Sequence, residues 1–144
     1  MDSIIIKIVE TPEEWAGALA VRFRVFVDEQ NVPQEEELDA QDATATHAIA
    51  IHRGHVVGTG RMYQQDVATA RIGRMAVDQS YRRLGVGSEL LDYLEGLARA
   101  QGVRRALLHA QEYVKQFYAG HGYREHGAVF LEANIRHVEM RKEL

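Results

Sequence analysis

Apolar positions in this chain switch between a two-residue and a three-to-four-residue spacing, and each switch marks a change of element. Ser3 to Val9 is dense in β-branched residues and predicts a first strand. Thr11-Pro12-Glu13-Glu14 then supplies a helix N-cap, a proline at the first helical position and a glutamate placed to close a capping box. Trp15, Leu19, Phe23 and Phe26 follow at helical spacing, which predicts that this face goes to the core with Arg22 beside it.

From Asp28 to Asp42 the rhythm breaks into DEQNVPQEEELDAQD, a loop or broken helix around Pro33. Two readings of it stand side by side. It is a solvated connection, or it lines a pocket with carboxylates that attract a cationic amine and take a proton from it.

Period two then returns. Thr46 to His52 and His55 to Tyr63 predict two strands joined by a tight turn at Arg53-Gly54, and Gln64-Gln65-Asp66 turns the chain into a third, Arg71 to Val77. Glycines at 58, 60 and 73 inside these strands predict bulges or close backbone approach. Val86, Leu90, Leu91, Leu94, Leu97 and Ala98 repeat at helical spacing to Ala100, and Gly102 stops the helix. Arg105 to Ala110 reads as a strand parallel to the one before that helix, so the three form a right-handed βαβ unit. Tyr113, Phe117 and Tyr118 predict a short helix closed near Gly120 or Gly122. Tyr123 to Glu125 and Ile135 to Arg141 predict two last strands, with residues 127–134 partly strand and partly loop. The final strand could pair across a homodimer.

Composition narrows the class. A length of 144 residues suits one domain, 1–144, and a net charge of −4 does not suit a nucleic-acid surface. Cysteine is absent, which excludes disulfides, thiolate metal sites and a cysteine nucleophile. The seven histidines do not fall at metal-ligand spacing, so no metal is expected. Neither a signal peptide nor a membrane span is visible, and a cytoplasmic protein is the expectation.

The stretch with the most chemistry is Arg71 to Leu91. Where its helix opens, Arg82 and Arg83 stand beside Gly85 and Gly87. The first N–H groups of a helix lack intrahelical partners and carry partial positive charge, so a phosphate is well received there if the backbone can be approached. A P-loop would need a lysine after the second glycine, and a dinucleotide fingerprint would need a third glycine where Leu90 stands. What remains is Arg-x-x-Gly-x-Gly, Arg82 to Gly87, between an apolar strand and an amphipathic helix.

That motif, the order of elements around it, and Tyr118-x-x-x-Gly122-Tyr123 resemble the GNAT (Gcn5-related N-acetyltransferase) superfamily over nearly the whole chain. The first portion, Arg22 to Gln30 with the acidic segment and His47, is similar to the bacterial ElaA-like subgroup. The resemblance implies an α/β (α+β) GNAT fold: a mixed, mostly antiparallel central sheet of about seven strands, about four flanking helices and a βαβ cofactor unit. It implies acetyl-CoA as co-substrate and a small-molecule amine or exposed amino group as acceptor. Main-chain groups of Met75, Ala76 and Val77 would pair with the pantetheine arm. N–H groups of Arg83, Leu84, Gly85, Val86, Gly87 and Ser88 would hold the pyrophosphate, with Arg82 and Arg83 at the rim. A main-chain N–H near Met75 or Ala76 would polarise the thioester carbonyl, and Tyr118 would protonate the departing thiolate.

An alkyl ammonium, with a pKa near ~10.4, must lose a proton before it can attack a thioester. Glu29, Glu36, Asp39, His47 and Glu112 are candidate acceptors. Glu29 and His47 are favoured, because one ends the first helix and the other opens a strand beside the expected pocket. Arg22 and Arg24 either bind a substrate carboxylate or pair with the acidic segment. The leading function is thus acetyl-CoA-dependent N-acetylation by direct attack. Behind it stand an acyl-homoserine-lactone-synthase-like acyltransferase, suggested by Arg22 to Phe26, and a non-catalytic acyl-CoA-binding module.

Overall fold

A computed structural model describes residues 3–144. The chain runs β1 (Ile5–Ile8), α1 (Pro12–Arg22), a π-helical segment (Phe23–Glu29), α2 (Gln34–Glu37), β2 (Thr46–His52), β3 (His55–Gln64), β4 (Thr69–Val77), α3 (Val86–Ala100), β5 (Arg105–Gln111), α4 (Lys115–Gly120), β6 (Arg124–Glu132) and β7 (Ile135–Glu143). Seven strands form a sheet in the order β1-β2-β3-β4-β5-β7-β6, parallel at β4–β5 and antiparallel elsewhere. No helix among the described residues is long and apolar enough to cross a membrane.

Local signals set most of this. The capping box forms: Thr11 Oγ1 accepts from the Glu14 N–H and the Glu14 carboxylate accepts from the Thr11 N–H. The α3 stripe Val86, Leu90, Leu91, Leu94 and Ala98 is buried, and packs on Ala70 and Ile72 of β4 and Ala106 and Leu108 of β5 in one core cluster. Full burial of each Leu is worth ~2 kcal/mol, which clamps the helix start to the end of β4.

The buried face of the first helix differs from the predicted one. Of Trp15, Leu19, Phe23 and Phe26, Phe26 is buried, while Ala18, Val21, Arg22 and Val25 make up the rest of the inner face. Helix α1 lies close on β3: a Cβ at Gly17 would stand 2.6 Å from Val56. Small side chains therefore face inward, and Trp15 turns aside to meet the His47 ring at 4.5 Å. The helix then widens into the π-helical segment, a form common near functional sites.

The dimer expectation for the last strand meets a simple obstacle. β7 is hydrogen-bonded to β5 on one side and β6 on the other, so the outer strand is β6. The two join through a two-residue turn at Ala133 and Asn134, both at positive φ (50° and 62°), the geometry of a tight hairpin.

Candidate active site

Two features of β4 open a cleft in the sheet. The first is a bulge: Thr59 faces Ala76 and Arg61 faces Gly73, so Arg74 and Met75 together oppose Gly60. Arg74 holds φ +51° to make it. Gly60 leaves room there for the Met75 side chain, since a Cβ would crowd the Met75 sulfur. The second is a splay. β4 pairs with β5 at Thr69, Ala70 and Arg71, opposite Arg105, Ala106 and Leu107, and the ladder stops there. β5 continues instead along β7, from Arg105–Glu143 to Gln111–His137. Main-chain groups of β4 beyond the bulge are left facing a cleft of about 600 Å³. Met75, Ala76, Val77 and Tyr118 line it, as do Val25 and Phe26 of the π-helical segment.

Beside the cleft lies the start of α3. Arg83 and Gly85 both sit at positive φ (64° and 85°), and α3 opens at Val86 with no side chain capping it. Gly85 takes this left-handed conformation without a Cβ penalty. A Cβ at Gly87 would stand 3.4 Å from Phe117 Cζ, so little space separates this backbone from α4. Arg83 is exposed and makes no ion pair among the described residues, whereas Arg82 is engaged. Its Nε donates to the Val77 carbonyl at 2.9 Å, and its Nη2 to both Glu29 oxygens at 2.9 and 2.8 Å. Ser88 Oγ lies 2.9 Å from His121 Nε2, tying the helix start to the end of α4.

The expected catalytic side chains are scattered. Tyr118 is buried in the cleft wall, and burial pushes its phenol well above the usual range, so it stays protonated. Glu29 is held by Arg82 and does not line the cleft; neither does Glu112. His47 borders a separate hollow of about 390 Å³ with Trp15 and Ile8. Its Nε2 lies 3.0 Å from the Asp42 carbonyl and so carries the proton, and burial lowers its pKa. A role for Glu29 or His47 as proton acceptor thus finds no support in their placement. Glu36 and Asp39 do line the cleft, but Asp39 accepts from Arg61 at 2.7 and 2.8 Å, which lowers its pKa.

The acidic segment is neither a plain solvated loop nor mainly a substrate surface. Arg22, 1% exposed, donates to Glu37 and to Asp42, each at 2.7 Å; Arg61 donates to Asp39 and Asp42; Arg74 reaches Glu37 and Asp39 at 3.3 Å. Arg24 pairs with Asp78 at 2.8 Å and joins the π-helical segment to the loop before α3. The two arginines left open by the sequence are therefore both in structural ion pairs.

A second polar group, absent from the sequence expectations, lies on the other face of the sheet. Along β5, Ala106, Leu108 and Ala110 face α3, so His109 and Gln111 face the opposite side; on β7, Val138 and Met140 face α3 and leave His137 opposite. There Arg71, His109, Glu132 and His137 meet in the cleft wall. Gln111 Nε2 donates to Gln30 Oε1 at 2.7 Å, and Gln30 Nε2 to the Tyr113 hydroxyl at 3.0 Å, linking the two sides of the cleft. Strand alternation was the available signal for both histidines.

Comparison with known proteins bears on this arrangement as a whole. The chain is 36% identical over 137 residues to the uncharacterized N-acetyltransferase YjcF of Bacillus subtilis (strain 168), covering 94% of this chain and 97% of that protein. It superposes on an acyl-CoA N-acyltransferase from Pseudomonas aeruginosa with a TM-score of 0.84, at 26% identity over 97% of this chain and 98% of the other. Escherichia coli ElaA gives a TM-score of 0.87 at 25% identity, with 98% and 100% covered. The family profile described as Acetyltransferase (GNAT) domain matches residues 9–144. With nearly the whole chain inside that match, the protein belongs to the GNAT acetyltransferase family and is an acyltransferase.

Proposed function

We propose that this protein moves an acetyl group from acetyl-CoA to a primary amine by direct attack. The observation that carries the reading is the β4–β5 ladder ending at Arg71 and Leu107 beside the Arg74–Met75 bulge. A strand edge exposed within a cleft accepts an extended chain as an added strand. Met75, Ala76 and Val77 supply that edge for the pantetheine arm. The N–H groups from Arg83 to Ser88, with the unengaged Arg83 guanidinium, suit the pyrophosphate. Arg82 acts differently, as a brace between Val77 and Glu29. A main-chain N–H at the bulge faces the thioester carbonyl, an interaction worth ~3 kcal/mol in other enzymes.

Tyr118 fits a hydrogen-bond donor to the departing sulfur better than a strong acid. A thiol has a pKa near ~8.5, below that of a buried phenol, so complete transfer from Tyr118 is uphill unless its proton is replaced. Tyr118→Phe should lower kcat about 100-fold or more with little change in acetyl-CoA affinity. Unchanged turnover would remove Tyr118 from the chemistry.

The overall reading is tested by following CoA thiol release from acetyl-CoA across a panel of amines, with calorimetric titration of acetyl-CoA, CoA and a long-chain acyl-CoA. Release that depends on the amine is expected. Tight acetyl-CoA binding with no release from any amine would make this a binding module.

A further inference from the structure

A carbonyl only accepts hydrogen bonds, so the 2.7 Å contact between His137 Nδ1 and the Ile135 carbonyl places a proton on Nδ1. In the neutral ring, Nε2 is then the basic atom. An anion and an aromatic ring stand beside it. Glu132 Oε2 is 3.8 Å away, and the Phe130 ring stacks on the imidazole at 6.0 Å. Glu132 is held in turn from the other side, its Oε1 lying 3.1 Å from His109 Nδ1, which itself lies 2.7 Å from Arg71 Nη2. His109 Nε2 is 3.8 Å from Glu139. Three strands and the first part of β4 thus converge on one carboxylate between two imidazoles. No group of side chains among the described residues is placed to hold a metal ion.

From this geometry we infer that His137 Nε2 takes the proton from the acceptor ammonium, with Glu132 as the positioning residue that stabilises the imidazolium. The inference rests on the N-acetyltransferase reading above and supplies the base which that reading lacks. His137 lines the cleft on the side of the sheet opposite α3, so the amine enters across from the CoA cradle.

Two protons leave nitrogen and one reaches sulfur. His137 takes the first and returns it to solvent. The lone pair so released forms the C–N bond as the C–S bond breaks, and the second proton reaches the thiolate through the Tyr118 phenol. Amide, free CoA thiol and one proton are the products.

The charged group that meets His137 is Glu132 from β6, and behind Glu132 stands His109 from β5, which contacts Arg71 from β4 and Glu139 from β7. The His109 ring beside Glu132, with Arg71 behind it, lowers the Glu132 pKa and keeps the carboxyl ionised. Replacing Glu132 by Gln removes the charge that favours imidazolium, so the acidic limb of the kcat/KM profile should move to lower pH. His137→Gln should lower kcat/KM at neutral pH about 100-fold or more, with the loss shrinking as pH rises toward the amine's own pKa.

Acetyl-CoA affinity, measured by calorimetry, should be unchanged in both variants. A His137→Gln enzyme with the wild-type rate and limb would overturn the inference. Nitrogen-15 NMR of the imidazoles gives a readout independent of turnover. A proton on Nδ1 of His137 with Nε2 titrating, and a shift of that titration in Glu132→Gln, would support the site even if every amine tried were inert and the activity reading failed. A proton on Nε2 in the neutral ring would overturn it.

Discussion

Gly87→Glu is expected to weaken acetyl-CoA binding at least about 100-fold while leaving the fold as stable as wild type or more so. Residue 87 lies in the first turn of α3, and a Cβ there meets Phe117 at 3.4 Å, a tolerable contact. Replacing a helical glycine gains ~0.5–1 kcal/mol, and an acidic side chain at a helix N-terminus adds ~0.3–1 kcal/mol. A bound diphosphate experiences the opposite: its space is partly filled, the helix charge is already neutralised, and a carboxylate faces it. Each 1.4 kcal/mol of that penalty is tenfold in affinity. Thermal melts and calorimetric titration should therefore move in opposite directions. Gly87→Ala separates the contributions, since it adds volume without charge. Gly85 is a poorer choice because its φ of 85° makes any side chain costly for the fold itself. A Gly87→Glu protein that binds acetyl-CoA like wild type would place the diphosphate elsewhere.

What could be read from the sequence was what the chain encodes locally. The Thr11 capping box, the α3 stripe, the glycine at the bulge and the Arg82–Gly87 loop each lie within a few residues, where spacing and turn chemistry are informative. The partners of Arg22 lie 15 and 20 residues along the chain, and His109, Glu132 and His137 come from three strands whose register only the folded sheet defines. Glu29 looked poised because it ends a helix, yet Arg82 from 53 residues away claims it. In the sequence, residues 127–134 read as partly strand and partly loop, and Ala133-Asn134 lacks the glycine that usually announces such a turn. Periodicity points Trp15 to the core, because it counts apolar residues but does not see how closely Gly17 lets the helix approach β3.

Arg22→Ala should be the most destabilising of the single changes considered, by about 3–5 kcal/mol, because it leaves buried carboxylates without their cation. Arg22 is 1% exposed and Glu37 is 2% exposed, so water does not readily take its place. Arg22→Met, which fills more of the volume, should recover a little and no more, since Glu37 and Asp42 remain unpaired. The loss should depend on pH with a definite sign. Burial alone would raise the Asp42 carboxyl, but hydrogen bonds from Arg22, the Asp39 N–H and Arg61 hold it well below the usual carboxylate range. A depressed folded pKa contributes stability that is present above the unfolded value near ~3.9 and fades as pH falls through the folded one. The gap between wild type and Arg22→Ala should accordingly be widest at neutral pH and narrow below about pH 4, as the orphaned carboxyls of the variant protonate. Urea midpoints at several pH values would show this; a loss under about 1 kcal/mol at pH 7 would mean that water or Arg61 already satisfies these groups. The consequence reaches the cleft, because Arg74, the bulge residue at φ +51°, is held by the same Glu37 and Asp39. Loosening that network should disturb the bulge before the sheet, so amine turnover in Arg22→Ala should fall at temperatures where strand content is still intact.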